Sequence, residues 1–263
     1  MEIGEKGICR LSVVPVRAQA SDKSEQVTQL LFGDHYTIIE VSEDRKWLRV
    51  EMYFDKYVGW IDVKQYYPIS DAYFNQINGS DYKICTDLTS SILYNKHHIS
   101  IVIGSILPIS TNELFKMEEQ LAFNGESKSL SQKREFDYLK QVAKKYLNAP
   151  YAWGGRSPFG IDCSGLVQNV FRICGYSLPR DASQQVSKGV AVPTLDECKP
   201  GDLAFFSGKN ESITHVGIVL GGNQIIHASG RVRIDDLDAR GIVDAQSGLV
   251  THKFSLLRRV IKE

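Results

Sequence analysis

The first part of the chain alternates apolar and polar residues with a period of two, which is typical of strands that bury one face. Turn residues such as Gly33-Asp34 and Ser42-Glu43-Asp44 separate these short segments. Strands this short and this regularly spaced predict a small β-barrel of about sixty residues. The predicted strands cover residues 8–14, 26–31, 35–40, 47–52 and 57–61.

The next segment repeats this pattern less clearly, with Gly104-Ser105 and Pro108 as turn residues. We interpret it as a second small β unit, and a long decorated connection is the alternative. Its predicted strands cover residues 82–86, 91–94, 99–103 and 106–109. A polar stretch at 124–129 indicates the main boundary. The expected domains are therefore 1–67, 68–128 and 129–263.

Beyond this boundary the apolar period changes from two to 3.6. Residues 136–147 predict a helix with Ser131 as a possible N-cap, which ends before Pro150. A second helix follows Cys163 and stops at Gly175. Further strands are predicted at 202–206, 215–220, 224–227 and 253–257. Helices followed by an antiparallel sheet predict an α+β fold.

Composition and charge narrow the possible partners. The 263 residues carry 31 Lys and Arg against 31 Asp and Glu, and this balance argues against nucleic acid as a partner. No run approaches the roughly 18 apolar residues that span a bilayer, so no membrane partner is expected. The N-terminus has no apolar signal core. We expect a monomer in the cytoplasm, or in the periplasm or cell envelope if an export signal has been removed.

One of the five cysteines has a context that suggests chemistry. Cys163 lies in Asp162-Cys163-Ser164-Gly165, directly before an apolar-periodic helix. Unpaired N–H groups at a helix N-terminus favour a thiolate over a thiol. The odd number and scattered positions of the cysteines argue against a disulfide framework. A buried packing thiol is the structural alternative for Cys163.

Two histidines stand in apolar strands that a short connection joins. His215 opens one strand, His227 ends the next, and Gly221-Gly222-Asn223 between them predicts an antiparallel hairpin. A turn centred on the glycines brings both imidazoles to the same end of the pair. This would place a general base beside the group that orients it. The pair lacks a third ligand of convincing spacing, so we expect no metal and no organic cofactor.

Several motifs in this region together resemble the NlpC-type cysteine peptidases of bacterial cell-wall peptides. The resemblance covers residues 130–263 and implies a circularly permuted papain-like fold. It also implies Cys163 as nucleophile, His215 as the base of a thiolate–imidazolium pair, and His227 as the residue that orients His215. The motifs are Tyr151-Ala152-Trp153-Gly154-Gly155, Asp162-Cys163-Ser164-Gly165-Leu166-Val167, Pro179-Arg180-Asp181, Lys199-Pro200-Gly201-Asp202-Leu203, Thr214-His215-Val216-Gly217-Ile218 and Ile226-His227-Ala228.

The resemblance further implies where substrate binds. Three residues around the nucleophile are expected to contact it, namely Tyr151, Asp162 and Ser164. Arg180 and Asp181 are expected either to bind substrate or to brace a loop. Ala182 stands where relatives that cut free muropeptides often carry serine, and alanine has no hydroxyl for a contact there.

The N-terminal region resembles bacterial SH3 modules, with a divergent second copy at 68–128. The motifs are Val14-Pro15-Val16-Arg17, Gln29-Leu30-Leu31-Phe32-Gly33-Asp34, Trp47-Leu48-Arg49-Val50 and Tyr57-Val58-Gly59-Trp60-Ile61. The whole layout resembles the γ-D-glutamyl-L-diamino-acid peptidases, whose first barrel holds the free amine of an N-terminal L-Ala. Glu25 and Tyr57 are the expected partners of that amine. A solvated turn glutamate and a barrel-packing tyrosine are the structural alternatives.

These features predict a cysteine peptidase that acts on peptidoglycan-derived peptides. The expected reaction hydrolyses the bond between γ-D-Glu and meso-diaminopimelate or L-Lys, in stem peptides that begin with a free L-Ala. An endopeptidase on intact wall, with the barrels as anchors, is the first alternative. A binding protein with a dead peptidase domain and an acyltransferase on the same scaffold are the others.

Overall fold

The computed structural model describes residues 1–108, 121–208 and 210–261. The chain falls into two compact units. Unit 1 contains Met1–Gln132 and Trp153–Pro158, and unit 2 contains Lys133–Ala152 and Phe159–Glu263. No helix in the described ranges combines the length and apolar character needed to cross a membrane.

Unit 1 begins with an antiparallel sheet that surrounds an apolar core. Val14, Val16, Leu48 and Val50 alternate with more exposed residues and lie in this core, as the period of two predicts. The strands are β1 (Lys6–Ile8), β2 (Val13–Arg17), β3 (Gln26–Leu31), β4 (His35–Val41), β5 (Trp47–Met52), β6 (Val58–Asp62) and β7 (Pro68–Ile69), and a 3-10 turn covers Val63–Gln65. Their order in the sheet is β3-β2-β6-β5-β4-β1-β7.

The single strand predicted at 8–14 is wrong, because two strands replace it. β1 pairs with β4 and β7, whereas β2 pairs with β3 and β6. Between them the N–H of Cys9 donates to the carbonyl of Asp34, and the N–H of Gly33 donates to the carbonyl of Cys9. These bonds hold the chain beside another turn, and the residues that follow Cys9 cross to a different part of the sheet.

The rest of unit 1 contains two further antiparallel sheets, with strand orders β10-β9-β12 and β11-β8-β13. Helix α1 was not predicted, although Ser70 caps its N-terminus by accepting from the N–H of Tyr73. Ile109, at the end of one predicted strand, lies outside the described residues, and the second barrel stays a prediction. The elements are α1 (Asp71–Gly79), β8 (Lys83–Cys85), β9 (Thr89–Tyr94), β10 (His97–Val102), β11 (Ile106–Leu107), β12 (Leu121–Phe123) and β13 (Ser127–Ser129).

The segment Trp153–Pro158 belongs to unit 1 although it is distant from the barrel in sequence. Arg156 is fully buried and its Nη1 lies 3.0 Å from Oδ2 of Asp34. The same nitrogen donates to the carbonyl of Gln29 at 2.7 Å, and the N–H of Arg156 donates to Oε1 of Gln29 at 2.8 Å. A buried guanidinium that donates to a carboxylate and a backbone carbonyl, together with the backbone bond to Gln29, fixes this segment on the barrel.

Unit 2 combines helices with an antiparallel sheet of order β16-β22-β17-β18-β19-β20-β21, in which β22 also pairs with β21. With β14 of unit 1, the remaining elements in chain order are α2 (Phe136–Lys145), β14 (Arg156–Ser157), β15 (Gly160–Ile161), α3 (Cys163–Ile173), α4 (Ala182–Gln185), β16 (Val190–Val192), a 3-10 turn (Leu195–Glu197), β17 (Leu203–Ser207), β18 (Ile213–Gly221), β19 (Gln224–Ser229), β20 (Arg231–Asp238), β21 (Gly241–Val243) and β22 (Val250–Arg259).

Two expectations for unit 2 need correction. Ser131 is not the N-cap of α2, because the helix begins at Phe136 and its N-cap is Glu135, whose side chain makes no capping bond. The packing of Leu139 and Val142 holds this helix in place of a cap. Strands β20 and β21 were not predicted, since the polar sequence of β20 hides its alternation.

Candidate active site

Helix α3 begins at Cys163 and is held there by its N-cap. Oδ1 of Asp162 accepts from the N–H of Gly165 at 2.7 Å, which satisfies one of the free donors of the first turn. Every residue of α3 is buried, because its apolar face and its polar residues are both covered by protein. Cys163 is therefore fixed at the helix start with 7% of its surface exposed.

A buried arginine binds the residues on either side of Cys163. Arg180 is 1% exposed, and its Nη1 and Nη2 donate to the two carboxylate oxygens of Asp162 at 3.0 and 2.6 Å. The same Nη1 donates to Oγ of Ser164 at 2.8 Å. The structure thus brings three predicted site residues together. These contacts are compatible with the bracing role predicted for Arg180, and a role in substrate binding stays a prediction.

Burial is the largest effect on the ionisation of the Cys163 thiol. It raises the pKa of the Cys163 thiol to about 11, and the charge of Asp162 raises it further. The backbone N–H groups of Val216 and Ser164 oppose this rise, and so does Arg180. This desolvation opposes the expected effect of the helix N-terminus, and the preference for a thiolate stays a prediction.

The hairpin of β18 and β19 places two imidazoles in contact, as the sequence predicts. Gly217 lies opposite His227 in the register, and His215 is two residues before Gly217 on the same strand face. A Cβ at Gly217 would lie 3.0 Å from the Cβ of His227, so the glycine leaves room for that ring. Nε2 of His215 and Nδ1 of His227 are 2.9 Å apart.

A carboxylate that the sequence analysis did not single out continues this chain of contacts. Oδ2 of Asp235, on β20, lies 2.9 Å from Nε2 of His227. Burial would raise the pKa of Asp235, but the hydrogen bonds from His227, Ala245 and Arg233 outweigh it and lower the pKa to about 2. Asp235 was missed because no strand was predicted there. An antiparallel strand returning along β19 is the signal that could have found it.

A third histidine packs against the first. The rings of His252, on β22, and His215 are stacked, with centroids 4.1 Å apart and planes inclined by 23°. Burial lowers the pKa of His252 to about 4. Burial, followed by the nearby His252 and His227, lowers the pKa of His215 well below its usual value. Both rings are therefore neutral near pH 7, and His215 can accept a proton.

The three imidazoles lie close enough together to raise the question of a metal. One ring nitrogen from each of His215, His227 and His252 lies within 4.8 Å of the others. However, His215 and His227 direct nitrogens at each other, and the ring of His252 is nearly parallel to that of His215. Nearly parallel rings do not point their lone pairs at a common centre, as a tetrahedral ion requires. The arrangement suits proton transfer better than metal binding.

Tyr151 lies near Cys163 and borders a pocket. Burial raises the pKa of its phenol to about 12, and the charges of Cys163 and Asp162 add to the rise. The phenol therefore stays protonated and can donate a hydrogen bond at neutral pH. The pocket measures about 250 Å³ and is lined by Tyr151, Thr214, His215, Ala228, Ser229, Gly230 and His252.

The other predicted substrate residues have local partners, and their roles stay predictions. Asp181 is the N-cap residue of the short helix α4. Glu25 is exposed in unit 1, where its carboxylate accepts from the indole N–H of Trp153. Tyr57 is partly buried and packs against the barrel core, as its structural alternative describes.

Family models and individual proteins match both parts of the chain. Residues 148–250 match the NlpC/P60 family, and residues 16–65 match the bacterial dipeptidyl-peptidase Sh3 domain. A γ-D-glutamyl-L-lysine dipeptidyl-peptidase of Bacillus subtilis is 30% identical over 221 residues, which cover 76% of this chain and 71% of that protein. A protein of the same name from Bacillus cereus is 27% identical over 251 residues, which cover 84% and 73%.

The fold has a close counterpart among solved structures. The crystal structure of an NlpC/P60 family protein from Bacillus cereus superposes with a TM-score of 0.82 at 19% identity, and the match covers 98% of this chain and 100% of that one. This similarity supports the fold, and the matching sequences support the chemistry. The chain therefore belongs to the NlpC/P60 family, as a cysteine peptidase that carries a bacterial SH3 domain.

Proposed function

We propose that this peptidase hydrolyses the bond between γ-D-Glu and the following diamino acid, L-Lys or meso-diaminopimelate, in peptidoglycan stem peptides. Its preferred substrates begin with a free L-Ala, so that L-Ala-D-Glu is one product. The names of the two Bacillus relatives and the matched Sh3 domain support this proposal. A permuted papain-like catalytic domain at 129–263, with SH3-like domains at 1–67 and 68–128, is part of it.

The observation that carries the proposal is the geometry around Cys163. The thiol lies at the N-terminus of α3, and the backbone N–H of Val216 interacts with it. Val216 directly follows His215 in β18, so the strand that carries the neutral imidazole also meets the nucleophile. A nucleophile, a base and an orienting group on fixed elements are what acyl transfer requires.

The chemistry then proceeds in two halves. Sγ of Cys163 bonds to the γ-carbonyl carbon of D-Glu while its proton passes to His215, and N–H groups at the start of α3 stabilise the oxyanion. The tetrahedral intermediate expels the amine of the diamino acid, which takes the proton from His215. Water then attacks the thioester, with His215 as the base, and releases the dipeptide and the thiol. Tyr151, whose phenol stays protonated, is the proposed additional donor near the oxyanion.

The free amine of L-Ala is the proposed determinant of specificity. Glu25 and Tyr57 are the proposed partners, because a carboxylate pairs with an ammonium by a charge-assisted hydrogen bond. Glu25 is exposed, and Oε1 of its carboxylate accepts from the indole N–H of Trp153. An N-acetylated peptide has no ammonium and would leave that carboxylate unpaired, so the proposal requires discrimination between the two forms.

Peptide cleavage followed by mass spectrometry tests this function. L-Ala-γ-D-Glu-L-Lys, its meso-diaminopimelate analogue and their N-acetylated forms are incubated with the protein. Release of L-Ala-D-Glu from the free-amine peptides only is the expected result. Cleavage of free and acetylated peptides at equal rates would contradict the amine preference.

Two variants test whether Glu25 recognises the free amine of the substrate. Glu25→Gln is expected to raise KM for the free-amine peptide about tenfold or more, as loss of one charge-assisted bond implies. Glu43→Gln, which changes an exposed glutamate elsewhere in the same unit, serves as the matched control. Equal effects of the two substitutions would remove Glu25 from the proposal.

Digestion of insoluble sacculi distinguishes the proposed function from the main alternative. An endopeptidase anchored to intact wall would release soluble fragments from sacculi, whereas the proposed enzyme leaves them intact and cleaves free peptides. A dead peptidase domain predicts no cleavage of either substrate. Transfer of an acyl group to a lipid acceptor, without peptide cleavage, would favour the acyltransferase.

A further inference from the structure

We propose that Asp235 is a positioning residue that sets the tautomers of His227 and His215 and so presents Nδ1 of His215 as the catalytic base. This inference rests on the proposed function, in which His215 takes the proton of Cys163. Asp235 acts through His227 and does not touch the substrate.

The carboxylate of Asp235 determines which nitrogen of His227 carries a proton. An ionised carboxylate can only accept hydrogen bonds, and the pKa of Asp235 is about 2, so it is ionised in the working range. The 2.9 Å contact between its Oδ2 and Nε2 of His227 therefore requires a proton on that nitrogen. In a neutral imidazole the other nitrogen, Nδ1, is then an acceptor.

The hydrogen bond between the two imidazoles then determines which nitrogen of His215 carries a proton. Nδ1 of His227 lies 2.9 Å from Nε2 of His215, and an acceptor there requires the proton on Nε2 of His215. His215 is neutral because burial lowers its pKa. Its Nδ1 therefore carries a lone pair and no proton. Two hydrogen bonds thus determine which nitrogen of the base is free.

The surroundings fix Asp235 in place. It is 3% exposed, and the N–H of Ala245 donates to its Oδ1 at 3.0 Å. Nε of Arg233 lies 2.7 Å from its Oδ2, and Nη2 of Arg233 donates to Oδ1 at 2.8 Å. Nη2 of Arg233 also lies 2.6 Å from Oδ2 of Asp244. A buried carboxylate with this many donors keeps its charge and its orientation, which the tautomer argument requires.

An asparagine at position 235 has nearly the same shape but can donate. Its amide group can turn its NH₂ toward Nε2 of His227, which inverts both hydrogen bonds and leaves the proton on Nδ1 of His215. A ring in that tautomer cannot accept the proton of Cys163. The same type of substitution in the Ser-His-Asp triad of trypsin lowers kcat by about 10⁴ through the wrong tautomer, so we expect a loss of at least about 100-fold here.

The test compares Asp235→Asn with Asp236→Asn in the full-length protein. Asp236 is adjacent, exposed and loses the same charge, so it controls for the change in charge. Nitrogen-15 spectra of histidine-labelled protein report the protonated nitrogen of each ring, with signals assigned from single His→Gln variants. Cleavage of the tripeptide gives kcat, and thermal unfolding shows that each variant folds.

Wild type and Asp236→Asn should both show protonated Nε2 at His215 and His227, with equal kcat. Asp235→Asn should show protonated Nδ1 at one or both rings and the expected loss of kcat. Protonated Nδ1 of His215 in the wild type, or unchanged tautomers in a folded Asp235→Asn variant, would overturn the inference. Because the spectra need no turnover, a wild-type protein that fails to cleave the tripeptide would contradict the proposed function separately.

Discussion

At the scale of the residue, the thiol of Cys163 is subject to two opposing effects. The helix N-terminus stabilises a thiolate, whereas burial and Asp162 stabilise the thiol. Burial dominates and raises the pKa to about 11. His215, the proposed base, has a pKa well below the usual histidine value. We therefore expect a neutral pair at rest, in which the proposed proton transfer accompanies attack of the sulfur on the substrate.

Alkylation of Cys163 measured against pH checks this account. A thiol with a pKa of about 11 becomes more reactive as pH rises, because only the thiolate reacts. The rate of modification of Cys163 by iodoacetamide should therefore keep increasing well above pH 8. Peptide mapping separates this site from the other four cysteines. A rate that reaches its plateau below pH 7 would show a preformed thiolate–imidazolium pair and contradict the neutral resting state.

Sequence reasoning found residues in ordered motifs and missed those that depend on long-range pairing. Cys163 and His215 stand in recognisable local contexts, and the glycine turn predicts the approach of His227. Asp235 and His252 lie on β20 and β22, and their positions follow from the order of strands in the sheet. Local periodicity carries no information on that order, so periodicity alone did not place these two neighbours.

At the scale of the element, the start of α3 depends on a buried ion pair. Arg180 and Asp162 are nearly inaccessible, and their two hydrogen bonds hold the N-cap beside the nucleophile. Helix periodicity predicted α3 because its apolar face is regular, whereas the N-cap expected for α2 was wrong because packing replaces capping there. The interaction of Arg180 with Asp162 joins distant loop and helix residues, so the motifs suggested a loop brace but not its partner.

Removal of Arg180 from its ion pair with Asp162 should lower the free energy of unfolding. Arg180→Met leaves the Asp162 carboxylate buried without its guanidinium, so we expect a loss of about 3–5 kcal/mol in the free energy of unfolding. Urea unfolding measures the change. The double variant Arg180→Met/Asp162→Asn should lose less than the sum of the single variants, because no isolated charge remains buried. Additive losses would show that the pair does not act as a unit.

At the scale of the whole molecule, the chain forms two compact units whose sequences are not simply consecutive. The predicted boundary at 128/129 lies near the division after Gln132, but Trp153–Pro158 belongs to the first unit. The polar stretch at 124–129 indicates the division near Gln132. The second depends on the buried contact between Arg156 and Asp34, which lie 122 residues apart and carry no local signal.

The central claim is that this molecule forms an acyl-enzyme on Cys163 with the dipeptide part of the substrate. Rapid acid quenching during turnover of L-Ala-γ-D-Glu-L-Lys, followed by peptide mapping, measures it directly. We expect an adduct on the peptide that contains Cys163, with the mass of the L-Ala-γ-D-Glu acyl group, and neither adduct nor cleavage in Cys163→Ala. Full hydrolysis by Cys163→Ala, or an adduct on another residue, would contradict it.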